Sequence, residues 1–189
     1  VRALGYAERS ALLLRDLNLT PTADADAGEK LAYAAILALE KLRDARGFSP
    51  VFFAADAWYS QRVRQQAERS LPNMVEDPTE AIEAILGIEP PDRMLKALKA
   101  ENASKAPAGR KAAAALLALQ VGQRKTARDK AEERSYAEVR KLALRTLIAG
   151  KAGGAGPVDA CLAAYARGVD DAERLLGLAA LGANGAAAA

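Results

Sequence analysis

The side chains of this sequence that are best spaced for chemistry are cationic. Residues 104–151 carry 12 lysines and arginines against 4 acidic residues, whereas the whole 189-residue chain has a net charge of only +3. Cations at this density can bind phosphate, because contacts to a phosphate backbone require only positive charge at a suitable spacing. Three clusters hold the candidate nucleic-acid contacts: Lys105, Arg110 and Lys111; Arg124 and Lys125; and Arg140, Lys141, Arg145 and Lys151.

The last part of this segment can also be interpreted as a helix that faces water. The stretch GQRKTARDKAEERSYAEVRKLALRTLIAGK, residues 122–151, predicts a helix from about Thr126 to Ile148. Between 126 and 135, three cations meet three carboxylates, several of them four residues apart, as is typical of a solvated helix. A helical wheel predicts an inner face of Tyr136, Val139, Ala143 and Leu147, and an outer face of Arg134, Glu138, Lys141 and Arg145.

Sequence-specific binding of nucleic acid has little support. No aromatic residue lies between Tyr59 and Tyr136, so the basic segment offers unpaired bases no ring to stack on. No helix-turn-helix, RNA-recognition or zinc-finger signature is present. A surface built from the three clusters would therefore contact phosphate without reading sequence.

The absence of histidine removes the commonest general base, the usual activator of a nucleophile and the commonest metal ligand. A Ser-His-Asp or Cys-His arrangement cannot form within the chain, and neither can a Cys/His zinc site. The single cysteine, Cys161, is followed by Leu162, Ala163 and Ala164, which predicts an inert thiol in the core. We therefore predict no enzymatic activity and no cofactor.

Two loop-like stretches resemble ligand-binding motifs without completing them. Asp24 and Asp26 resemble the opening of a calcium loop, but Gly28 stands where a third oxygen ligand belongs. The run GKAGGAG, residues 150–156, lacks the order of a phosphate-binding loop. The first stretch therefore predicts a helix start, and the second predicts a flexible joint.

Aromatic residues are concentrated in one segment, since five of the nine lie between 48 and 59. This concentration predicts core or a protein interface, for which the candidates are Phe52, Phe53, Trp58 and Tyr59. Asp56 lies between Phe53 and Trp58 and is the best candidate for a carboxylate in a pocket. An enzyme that uses Asp56 is the third hypothesis, behind two kinds of binding protein.

The composition predicts an all-α fold. Alanine accounts for 46 residues, and valine and isoleucine are sparse without alternating runs, so a sheet has little to build on. Start and stop signals predict an irregular helical bundle or a short α-solenoid of eight to nine helices. The predicted starts include a capping box at Asp26 and Glu29, Ser49 with Pro50, and Asp77 with Glu80; helices are expected at 26–47, 50–71, 157–167 and 170–181.

The charge distribution suggests three regions, or one continuous domain that contains all three. Residues 1–103 are slightly acidic, residues 104–151 are basic, and residues 152–189 form a C-terminal helical hairpin with a frayed tail. The longest apolar run, residues 31–39, is half of the roughly 18 residues that a membrane span requires. The chain opens on Val1, which is consistent either with removal of a targeting peptide or with a start upstream of this residue. The predicted compartment is the cytoplasm or an organelle matrix.

These observations predict a non-catalytic, all-helical interaction or scaffold subunit of a larger protein assembly, with other protein subunits as partners. The alternative is a helical domain that binds nucleic acid by contacting phosphate through its basic middle third.

Overall fold

The fold is all-α, as the composition predicts. The computed structural model describes residues 2–185, and their side chains from residue 5 onward. Within that range it contains ten α-helices, one 3-10 turn and no strand. The predicted number of eight to nine helices is too low, because an N-terminal helix was not predicted and one predicted helix is divided in two.

The chain divides into two compact units, with residues up to Ala81 in unit 1 and residues from Ile82 in unit 2. Unit 1 contains four helices and a 3-10 turn at Ala45–Gly47: α1 (Arg2–Leu19), α2 (Ala25–Leu42), α3 (Phe48–Ala54) and α4 (Gln61–Met74). Helix α1 packs on α2 and α3, and both of these pack on α4.

The second helix begins and ends earlier than predicted. Its N-cap is Asp24, whose side chain accepts a hydrogen bond from Ala27 N at 3.0 Å, whereas Asp26 lies in the first turn and pairs with Lys30. The helix ends at Leu42 because Arg43 turns the backbone into the left-handed region, with φ of 49°.

The helix predicted at 50–71 is two helices, α3 and α4, joined by a turn through residues 55–60. Five residues whose spacing would place them on one face of a single helix are nevertheless all buried: Phe52, Ala55, Tyr59, Val63 and Ala67. The turn therefore changes the direction of the chain while keeping this apolar set in the core.

Unit 2 is organised around its longest helix. Its elements are α6 (Pro91–Ala103), α7 (Ala108–Arg124), α8 (Lys130–Gly150), α9 (Ala155–Arg167) and α10 (Asp171–Gly185), while the boundary between the units falls inside α5 (Thr79–Ile88). Helix α8 packs against α6, α7, α9 and α10, and α9 and α10 pack on each other as a hairpin. The inner face predicted for α8 is confirmed, since Tyr136, Val139, Ala143 and Leu147 are buried. Of the predicted outer face, Arg134, Glu138 and Arg145 are exposed, whereas the Lys141 side chain is only 13% exposed.

Side-chain caps start the last long helices, α10 at its predicted position and α8 at Lys130 instead of about Thr126. Asp129 caps α8 by accepting from Ala131 N and Glu132 N, and Asp170 caps α10 by accepting from Glu173 N. The polar stretch at 101–110, whose composition predicts a linker, is linker only at 104–107, because α6 continues to Ala103 and α7 begins at Ala108. The proposed boundary at 103/104 lies inside unit 2.

The predicted frayed tail is helical as far as the structure describes it. Residues 182–185 continue α10, and residues 186–189 lie outside the described range. Asn184 is fully buried: its amide donates to Leu147 O and Ala180 O, and its oxygen accepts from Ala152 N. The end of α10 is therefore fastened to the turn that follows α8. No helix between residues 2 and 185 has the length and apolar character that crossing a membrane requires.

Candidate interaction surfaces

The cation with the most contacts, Arg140, lies in the interior and not on a binding surface. Its side chain donates to Glu173 Oε1 at 2.5 Å, to Glu133 Oε1 at 2.9 Å and to the Gly122 carbonyl at 3.1 Å. Arg140 is 6% exposed and Glu173 is 1% exposed. Its guanidinium joins α7, α8 and α10, so the structure removes Arg140 from the predicted nucleic-acid contacts.

Lys141 is also neutralised within the protein. Its ammonium donates to Asp170 at 2.6 Å and to Glu138 at 3.1 Å. The hydrogen bond with Asp170 raises the pKa of Lys141 and lowers the pKa of the Asp170 carboxyl. The middle of α8 therefore contributes little positive charge to the surface.

The other predicted cations separate into two places. Arg124 and Lys125 are exposed at the C-terminal end of α7, while Lys105, Arg110 and Lys111 lie at its N-terminal end. A helix of 17 residues is about 25 Å long, so these two clusters do not form one surface. Exposed Arg145 and Lys151 lie near the C-terminal end of α8.

Two of the predicted cations, Lys111 and Arg145, line one groove between α6, α7 and α8. The groove has a volume of about 330 Å³. Its lining contains no carboxylate and consists of Asn102, Ala108, Lys111, Leu142, Arg145, Thr146, Ala149 and Gly150. Asn102 Nδ2 donates to Thr146 Oγ1 at 2.8 Å, which joins α6 to α8 at the groove.

The predicted aromatic interface is mostly core of unit 1. Phe52 and Tyr59 are buried, and half-buried Phe53 packs edge-on against Phe52. Half-buried Trp58 donates its indole N–H to the Leu17 carbonyl at 2.7 Å. The candidate carboxylate Asp56 is exposed in the turn after α3. This segment therefore leaves little apolar surface for a partner.

We expect the substitution Tyr59→Phe to raise the free energy of unfolding by about 1 kcal/mol. The Tyr59 hydroxyl is buried and has no hydrogen-bond partner among the described residues, and burial raises its pKa to about 12. Removing an unsatisfied polar atom while keeping the ring removes a desolvation cost. Urea denaturation monitored by circular dichroism measures the change, and a loss of stability would contradict it.

An apolar surface that was not predicted lies on the α9–α10 hairpin. Five large side chains there are between 45% and 66% exposed: Leu162, Tyr165, Val169, Leu175 and Leu178. The inward positions of the same helices hold mostly small residues, among them Ala160, Ala164, Gly177 and Ala180. The spacings 162/165 on α9 and 175/178 on α10 match the helical period, while Val169 lies in the turn between the two helices. The sequence does not tell which face of each helix points inward.

Close packing of α9 on α10 brings the two apolar stripes together. A Cβ atom on Gly177 would lie 2.7 Å from Tyr165 N, so the helix backbones touch at this point. The contact also includes the Ala164 carbonyl carbon, at 3.2 Å. Tyr165 follows Ala164 and Leu178 follows Gly177, so in these two antiparallel helices both side chains point about 100° away from the crossing, toward the same side. Both side chains are exposed beside the crossing, which places one stripe next to the other.

The cysteine thiol and the carboxylates do not form a catalytic or metal-binding site among the described residues. Cys161 is fully buried, and burial raises the pKa of its thiol to about 11. Among the described residues, no three histidine, cysteine, aspartate or glutamate side chains are grouped as a metal site would require.

Comparison with known proteins does not indicate a function for the chain. No family model matches the chain, and no curated protein or solved structure matches it. The chemistry of the exposed surfaces is therefore the basis for assigning a function.

Proposed function

We propose that this chain is a non-catalytic, all-helical interaction subunit of a larger protein assembly, and that it binds a partner through the outer face of the α9–α10 hairpin. One observation carries the proposal: five large apolar side chains are exposed on this single hairpin. Fully burying an exposed leucine side chain contributes ~1.5–3 kcal/mol, so a partner that covers the exposed part of several apolar side chains gains affinity.

The partner that fits this face best is another helix or helical hairpin. Helical layers stack on one another in solenoids and bundles, and the outermost layer normally presents a polar face to water. The α9–α10 layer instead presents stripes spaced at three and four residues, such as Leu162 with Tyr165 and Leu175 with Leu178. This spacing is the one that a docking helix complements.

The test compares two matched double variants as baits. Leu175→Glu/Leu178→Glu places two carboxylates on the hairpin face, and Leu12→Glu/Leu19→Glu places two on exposed positions of α1. Each bait captures proteins from its native source at physiological salt, with nuclease present. We expect the hairpin variant to capture at least tenfold less of each specific partner than the unmodified chain does. The α1 variant should capture the same amount as the unmodified chain. Equal capture by all baits would contradict the proposal.

The nucleic-acid alternative is supported by the cations that remain exposed, such as Lys105, Arg110, Arg145 and Lys151. It is the weaker proposal, because Arg140 and Lys141 are paired with carboxylates. Omitting nuclease from the capture distinguishes the two, since partners bound through nucleic acid disappear when nuclease is added. We also propose that the protein is located in the cytoplasm or in an organelle matrix.

A further inference from the structure

We infer that the groove between α6, α7 and α8 binds an acidic, partly apolar peptide segment of a protein partner. Carboxylates of the peptide would pair with Arg145 and Lys111, and an apolar side chain would enter the groove. This site is separate from the hairpin face of the proposed function.

The first support is an excess of positive charge around the groove. Residues 102–128 and 139–158 contain no aspartate or glutamate. All eight lining residues fall within these two ranges, and Asn102 is the first residue of the first range. Exposed Arg145 makes no ion pair and no side-chain hydrogen bond with any other described residue. Because no carboxylate pairs with it, the Arg145 guanidinium keeps its full charge, and its N–H donors can bind a carboxylate of a ligand.

The second support is the position of Lys111. Its ammonium donates to the carbonyls of Asn102 and Ser104 at 3.0 and 2.7 Å, where α6 ends. Because carbonyls are neutral, these bonds hold the ammonium in place without cancelling its charge. An ammonium has three donors, so a third N–H stays available for a ligand.

The third support is the mixed character of the walls, which favours a peptide over nucleic acid. Ala108, Leu142 and Ala149 form an apolar lining beside the two cations, and no aromatic ring lies in the groove. A phosphate backbone needs cations alone, and unpaired bases need rings to stack on. A peptide with acidic and apolar side chains complements both features of the groove.

The test uses a labelled ten-residue peptide that contains three glutamates and three leucines, and fluorescence anisotropy at 50 mM salt. Three further probes compete with it: the same peptide with glutamine for glutamate, a ten-nucleotide thymidine oligomer, and inorganic phosphate. The protein variants are Arg145→Glu and Arg134→Glu. Both residues are exposed on α8 and lie about three turns apart, so the pair separates the groove from the general charge of the helix.

We expect Arg145→Glu to weaken binding at least tenfold and Arg134→Glu to change it less than twofold, because only Arg145 lines the groove. Ala149→Glu, also at an exposed lining position, should weaken binding similarly. Circular dichroism checks that each variant is folded.

Three results would overturn the inference: no saturable binding of the acidic peptide at 50 mM salt, equal weakening by both arginine variants, or tighter binding of the oligonucleotide than of the peptide. The last result would assign the groove to nucleic acid. The hairpin variant Leu175→Glu/Leu178→Glu should bind the peptide normally, so failure of the proposed function and failure of this inference are distinguishable.

Discussion

Arg140→Met should lower the free energy of unfolding by about 3–5 kcal/mol. The substitution keeps much of the side-chain volume but leaves the Glu173 carboxylate buried without its cation. It also removes the donor to the Gly122 carbonyl, which lies on α7. An uncompensated charge in the interior costs far more than a lost ion pair at the surface, which is worth about 0–1 kcal/mol.

Urea denaturation of a double-mutant cycle measures this effect. The double variant Arg140→Met/Glu173→Met should regain most of the lost stability, because neither charge then remains buried. Arg134→Met, at an exposed position of the same helix, should change stability by less than about 0.5 kcal/mol. A loss below about 1 kcal/mol for Arg140→Met, or additive single effects, would contradict the role assigned to the pair.

Gly177→Ala should lower the free energy of unfolding by about 1–3 kcal/mol, although alanine is the better helix former. The new Cβ would lie 2.7 Å from Tyr165 N and 3.1 Å from Tyr165 Cα, so α9 and α10 must move apart. The neighbouring atoms belong to the backbone and cannot rotate away. Because this contact places Tyr165 beside Leu178, the same change should weaken partner binding through the hairpin face.

Gly182→Ala is the matched control within the same helix. No atom lies within 4 Å of a Cβ built on Gly182, which is exposed. Alanine there should raise the free energy of unfolding by about 0.5–1 kcal/mol through its helix propensity. Thermal denaturation of both variants checks the pair, and destabilisation by both would mean that flexibility of α10, and not close packing at Gly177, is the cause.

Local signals in the sequence were sufficient for the fold class and for several helix starts. High alanine content favours helices along the chain, and Asp170 caps α10 at the predicted position. The start of α8 was predicted at about Thr126, three residues before its cap, Asp129. The inner face of α8 was predicted because apolar side chains repeat with the helical period. Caps and periodicity depend on residues within a few positions of each other, so they can be evaluated without tertiary structure.

The break in the aromatic segment and the first helix of the chain were not predicted. Phe52 and Tyr59 share the period of one helix, yet the turn at 55–60 divides it and both side chains are still buried, so periodicity alone did not reveal the break. Helix α1 is without acidic residues in its first turn, so the usual signal of a helix start is missing.

The tertiary structure decided the roles of the charged and apolar side chains. Arg140 and Arg145 are five residues apart on α8, yet Arg140 meets a carboxylate 33 residues away while Arg145 faces a groove without one. Leu175 and Leu178 are exposed because Gly177, which lies between them on the helix, is the residue that faces α9. The sequence by itself determined that the chain is helical and where it is basic. Which charges are cancelled and which apolar side chains are covered depends on neighbours that only the packing of distant helices brings together.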